Sequence, residues 1–198
     1  MNTILFRGLI LLLVATLSYT AQAQTTLLAE NFDNCSIPNS WTNHAGAGDI
    51  SWEIGNCLAL KKTNNTCVAF LNDFSQATTV QGMLVSSTFD ATGFNHAVLD
   101  IDIHFMQKNN AAVSVVVYTN NEQFVLQTLD NKNCQANQIT SEHVSVDISK
   151  YIGSDMRIGL VYDNGGQESA WVAIDNLSVT ADNGVSSSSV NTLINSFN

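Results

Sequence analysis

From Leu99 to Phe105 apolar and polar residues alternate without a break, with Leu99, Ile101, Ile103 and Phe105 on one side and Asp100, Asp102 and His104 on the other. Successive side chains of a β-strand point to opposite faces of its sheet, so this period of two marks a strand with one buried face. The pattern returns in Val113, Val115 and Val117, in Val144, Val146 and Ile148, and in Met156, Ile158, Leu160 and Tyr162. Strand-like runs also cover 26–33, 50–55, 67–71, 82–89, 123–129 and 169–180. Turn-forming clusters such as Asn109-Asn110, Thr119-Asn120-Asn121 and Asp163-Asn164-Gly165-Gly166 separate them. No window keeps a helical period. About ten short strands with no alternating helices predict an all-β antiparallel sandwich, and a jelly roll protects that many strand edges.

Composition narrows the class further. A single proline excludes collagen, and 45% hydrophobic with only 12% charged residues excludes a disordered acidic tail or a coiled coil. Seven Lys and Arg against seventeen Asp and Glu disfavour a nucleic-acid partner, whose phosphates are held mainly by basic side chains. Residues 1–23 read as a secretory leader: Arg7 is the positive start, Leu9 to Leu17 the apolar stretch, and Ala21-Gln22-Ala23 the cleavage site. The apolar run is far shorter than the roughly 20 residues a membrane-spanning helix needs, so no transmembrane segment is expected in the mature chain. The jelly-roll domain is placed at 24–182. Asp182-Asn183-Gly184 then signals a turn, and 183–198, with its run Ser186 to Ser189, reads as a flexible tail.

All four cysteines, Cys35, Cys57, Cys67 and Cys134, fall in the exported part, where an even count reads as two disulfides. Three pairings are open. The short loop between Cys57 and Cys67 favours joining its ends, which leaves Cys35 with Cys134. Zinc is disfavoured because the cysteines form no CxxC pairs.

Five segments in order resemble the choice-of-anchor J and cleaved-adhesin domains of secreted Bacteroidetes proteins, relatives of the MAM domain. They are Glu30-Asn31-Phe32-Asp33 with Ile37-Pro38-Asn39-Ser40-Trp41, then Ser51-Trp52-Glu53-Ile54 and Val68-Ala69-Phe70-Leu71-Asn72-Asp73, then Leu84 to Asp90 and Trp171-Val172-Ala173-Ile174-Asp175-Asn176-Leu177. The resemblance runs from about residue 27 to 181. It implies a jelly-roll adhesin or accessory module with no catalytic centre and, in many members, structural Ca²⁺. The loop His44 to Asp49, which carries several acids in relatives, keeps one carboxylate here.

On this sequence the calcium ligands would be Glu30 and Asp33 from the first strand, Asp175 from the last, and Asp73. Ca²⁺ takes six to eight oxygens, and adjacent terminal strands would bring such groups together. An acid amid the apolar strand Trp171 to Val179 also needs a partner, since a lone buried carboxylate is costly. The alternative is that Asp175 accepts backbone N–H groups at a bulge.

Two further constellations carry possible chemistry. Asp100, Asp102 and His104 lie along one strand face, the arrangement of an acid ladder in a jelly-roll glycoside hydrolase; the simpler reading is a solvated polar face. Trp41, Trp52, Trp171, Tyr118 and Tyr162 offer aromatic surfaces for stacking on sugars, although the resemblance places the three tryptophans as packing residues. Loops 107–110, 119–123 and 163–169 are the expected recognition rim. No Gly-x-Ser-x-Gly, His-Glu-x-x-His or P-loop occurs. The resulting expectation is a secreted, non-catalytic module binding an extracellular glycan or protein surface, with a glycoside hydrolase and a structural spacer as the alternatives.

Overall fold

A computed structural model describes residues 23–46, 50–55, 67–73, 79–130, 132, 134, 138–166 and 171–184. The expected leader up to residue 22, Cys57 and the expected tail beyond residue 184 lie outside them. The described residues form eleven strands: β1 (Thr25–Glu30), β2 (Thr42–Ala45), β3 (Glu53–Gly55), β4 (Val68–Asn72), β5 (Gln81–Val85), β6 (His96–Met106), β7 (Ala112–Thr119), β8 (Glu122–Leu129), β9 (Ile139–Asp147), β10 (Arg157–Asp163) and β11 (Trp171–Asp182). One short 3-10 turn spans Ser149–Tyr151.

Every pairing is antiparallel. One sheet runs β3-β4-β11-β6-β9 with β1 also on β11, and the other runs β2-β5-β10-β7-β8. Their inner faces enclose a single core, the arrangement of a jelly-roll β-sandwich. β6 shows why the alternation was so clear: Ala97, Leu99, Ile101, Ile103 and Phe105 are fully buried, while the residues between them are half-exposed. A fully buried side chain of this size contributes about 1.5–3 kcal/mol. A one-residue slip would turn that whole set to water, and so the register is firm.

β6 pairs with β11 along its whole length, from Trp171↔Met106 to Asp182↔His96. The other side of β11 is shared. β4 takes its first half, with Ile174 opposite Ala69, and β1 takes its second half, with Glu30 opposite Leu177. Between the two stretches β11 bulges from Asp175 to Ser178, and Asn176 adopts φ +50°, a left-handed conformation that asparagine tolerates. A Cys35–Cys67 disulfide ties the chain after β1 to the chain before β4 at this same gap.

That bond corrects the expected pairing. Cys35 and Cys67 flank strands that are distant in sequence but lie end to end along β11, so sequence proximity pointed to the wrong partner. Cys134 is a buried thiol joined to neither of them, and burial pushes its pKa up.

Three of the expected aromatic platforms are core. Trp52 and Tyr162 are at most 1% exposed, and Trp41 packs edge-on against Phe32 at 5.8 Å. Asn43 holds the Trp52 backbone at both ends, its side-chain amide donating to Trp52 O at 2.7 Å and its carbonyl accepting from Trp52 N at 3.0 Å. Trp171 and Tyr118 are half-buried. No helix among the described residues is long and apolar enough to cross a membrane.

Candidate functional site

The first and last strands are neighbours, as expected, but their acids do not meet. Residues directly opposite in a sheet share a face. Glu30 lies opposite Leu177, a core residue, whereas Asp175 lies before the bulge, opposite Asp102 on the outer face. Glu30 and Asp175 therefore occupy opposite sides of the sheet. Glu30 Oε1 accepts from Phe32 N at 2.7 Å, and exposed Asp33 accepts from the Asn31 side chain. Asp175 is buried and its Oδ1 accepts from Asn176 N at 2.8 Å, the bulge role weighed against a metal. Asp73 follows the far end of β4, five residues beyond the position level with Asp175, which is roughly 16 Å along a strand. There it accepts from the Tyr162 hydroxyl at 3.2 Å. Among the described residues no three His, Cys, Asp or Glu side chains converge as metal ligands. Asp73 therefore stands too far along β4 to share an ion with Asp175.

Asp102 and Asp100 instead form a network on the outer face of the six-stranded sheet. His143, opposite Asp102 on β9, places Nδ1 2.7 Å from Asp102 Oδ1 and Nε2 3.5 Å from Asp100 Oδ1. Asn176, turned outward by the bulge, donates from Nδ2 to Asp102 Oδ2 at 2.9 Å. Burial pushes the Asp102 carboxyl up, but the hydrogen bonds from Asn176 and His143 outweigh it and hold the group below the usual carboxylate range. The hydrogen bond to Asp102 raises the His143 imidazole above its ordinary value. His104, on the same face, pairs with Ser141 Oγ at 2.8 Å, and its charge also favours the Asp102 carboxylate. A glycosidase acid must stay protonated near neutral pH, and Asp102 is tuned the opposite way. Beside the network, a cavity of about 470 Å³ opens at the end of β1, lined by Glu30, Asn31, Asn34, Asn176 and Ser178 among others.

The outer face of the five-stranded sheet has a different character. In register across it run Gln123, Tyr118 and Arg157; then Val125, Val116, Gly159, Val85 and Thr42; then Thr128, Ser114, Val161, Met83 and His44. Gly159 leaves a gap that the Tyr118 ring fills. A Cβ on Gly159 would stand 2.7 Å from Tyr118 Cε2 and 2.8 Å from Val116 Cγ2. The ring therefore lies across β10 rather than standing off the sheet, and its hydroxyl donates to Met83 Sδ at 3.2 Å. Burial pushes the Tyr118 hydroxyl pKa up, while Arg157 works against the shift. Val125, 58% exposed, extends the apolar floor toward the sheet edge. Ser114 and Thr128 hydroxyls, 2.9 Å apart, supply a polar margin.

Of the loops expected to form a rim, 119–123 is a tight hairpin with Asn120 and Asn121 both at positive φ, and Gln107 in 107–110 is buried. Residues 167–169 of the third lie outside the described set. Sequence reading missed the Tyr118 platform, although the glycine at 159 within an otherwise apolar strand was a usable sign of a close approach.

No protein-family model matches the chain, and no curated protein matches it in sequence. Solved structures do. The K1 cleaved adhesin domain of Lys-gingipain from Porphyromonas gingivalis W83 superposes with a TM-score of 0.61 at 18% identity, over 80% of this chain and 99% of that one. A family 27 carbohydrate-binding module from Caldicellulosiruptor saccharolyticus, solved with mannohexaose, gives 0.52 at 15% identity over 79% and 96%. A family 61 carbohydrate-binding module, solved with β-1,4-galactotriose, gives 0.56 at 7% identity over 77% and 94%. At these identities the likeness is one of fold, and it is the fold of adhesin and carbohydrate-binding β-sandwiches.

Proposed function

We propose that this chain is an exported, non-catalytic binding module of the choice-of-anchor J and cleaved-adhesin kind, acting on an extracellular glycan or protein surface through the outer face of its five-stranded sheet. The observation that carries the reading is Tyr118 lying over Gly159, with Val125 and Met83 as accessible apolar floor and hydroxyl and amide groups at the margin. An aromatic face backed by a rigid sheet stacks on a pyranose ring with little loss of side-chain freedom, while the margin meets hydroxyl groups. Two similar folds being solved with oligosaccharides supports a glycan as the first ligand to try. The hydrolase alternative is weakened by the Asp100–His143–Asp102 bridge, which ties up both carboxylates in one ion-pair network.

The test is binding of the purified mature chain to immobilised glycans and to extracellular-matrix proteins, compared with a Tyr118→Ala variant whose melting profile confirms folding. Capture without turnover that is lost in the variant supports the module. Absence of capture on every surface would reduce the chain to a spacer, and reducing-sugar release abolished by Asp102→Asn would make it a hydrolase.

A further inference from the structure

Arg157 is the one arginine of the chain outside the leader, and it sits on the face just described. Its guanidinium carbon lies 5.3 Å from the centre of the Tyr118 ring, so the planar cation rests against the aromatic side chain directly opposite it. No described ion pair includes Arg157, and its Nε is buried with no hydrogen-bond acceptor. In a chain of net charge −10, this cation is held by an aromatic ring and by no described carboxylate. No other Lys or Arg lies in the cross-strand rows of this face.

A guanidinium fixed by stacking has lost much of its rotamer freedom before any ligand arrives, and its remaining N–H groups form a fork that matches a carboxylate. The Tyr118 ring and the valine floor beside it suit the apolar face of a sugar ring carrying that carboxylate. We propose that Arg157 and Tyr118 together form a subsite for a carboxylated sugar, of the uronic or sialic acid class, within an extracellular glycan. This rests on the reading that the five-stranded face binds glycans, and it specifies the charge of the residue bound there. The overall negative charge of the protein repels such ligands at a distance, so contact depends on this one compensating group and weakens without it.

The probes are trigalacturonate and sialyllactose, set against their neutral counterparts galactotriose and lactose, with affinities measured by calorimetry. The acidic member of each pair should bind about tenfold or more tightly, the scale of a hydrogen-bonded charge pair. Arg157→Gln should remove that margin and leave neutral binding within about threefold, while Arg157→Lys, which keeps the charge but not the fork, should restore only part of it. Thermal melts of each variant establish that the fold is intact. Equal affinity for acidic and neutral members, unchanged in Arg157→Gln, would overturn the subsite and leave the glycan-binding face standing. Failure of all four sugars to bind would also overturn the subsite, while capture of the native chain on the wider glycan and matrix-protein panel decides the binding face separately.

Discussion

His143 and Asp102 face one another in register across β9 and β6, with Nδ1 2.7 Å from Oδ1. The pair makes stability depend on pH in a defined sense. The imidazole is raised on folding, so its contribution is complete below the unfolded histidine value and is lost as pH rises through the folded one. The Asp102 carboxyl is lowered, so its contribution holds above the unfolded aspartate value and is lost as pH falls through the folded one. The window where both act lies between about pH 4 and pH 6.5. The His143 side chain is 61% exposed, and solvent screening limits the pair to about 0.5 kcal/mol. The melting-temperature difference between the native chain and His143→Gln should peak in that window and shrink toward pH 8. A difference that grows above neutrality would contradict the pairing.

Non-reducing peptide mapping should find Cys35 linked to Cys67. The bond closes a loop of 32 residues in sequence separation, and constraining the unfolded chain over that length is worth about 3–4 kcal/mol. Cys67→Ser should lower stability in denaturant titrations by this order.

Tyr162→Phe should cost about 1–3 kcal/mol, because it removes the hydroxyl that donates to the buried Asp73 carboxylate between the two sheets. Asp73→Asn in the same background should recover part of the loss by removing the buried charge. Urea titration of the single and double variants reads this coupling directly.

Gly159→Val should displace the Tyr118 ring from β10, since even a Cβ there would approach the ring and Val116 below van der Waals distance. Overpacking of this kind costs about 1–3 kcal/mol. Ligand capture should fall with it, to the level of Tyr118→Ala, while the near-ultraviolet circular dichroism of the core tryptophans is preserved.

Chelation tests the separated acids. Glu30 and Asp175 sit on opposite faces, and Asp73 lies at the other end of β4, so EDTA should leave the melting temperature unchanged. A fall of several degrees, reversed by added calcium, would show an ion held by a different set of oxygens.

The jelly roll was legible because each core strand declares its buried face within a few residues. In β6, β9 and β10 the alternation is visible without knowing any partner, and the adjacency of β1 and β11 followed from the family resemblance. The Val115-Val116-Val117 run of β7 broke the alternation, and its cause is not local: Val116 faces outward, yet it is buried beside the Tyr118 ring at Gly159.

What tertiary structure alone decided is which side of a sheet each chemistry-bearing residue joins and whom it meets there. The bulge at Asn176 resets the face of the residues that follow, and with it separates Glu30 from Asp175. Cys35 finds Cys67 because β1 and β4 share one edge of β11, a placement invisible to loop length. Tyr118 and Arg157 are 39 positions apart and become a pair only when β7 and β10 align. Period and composition are properties of a short stretch of chain and can be read there. Facing, pairing and charge compensation are properties of strands brought together from distant positions, and they exist only once the two sheets have closed.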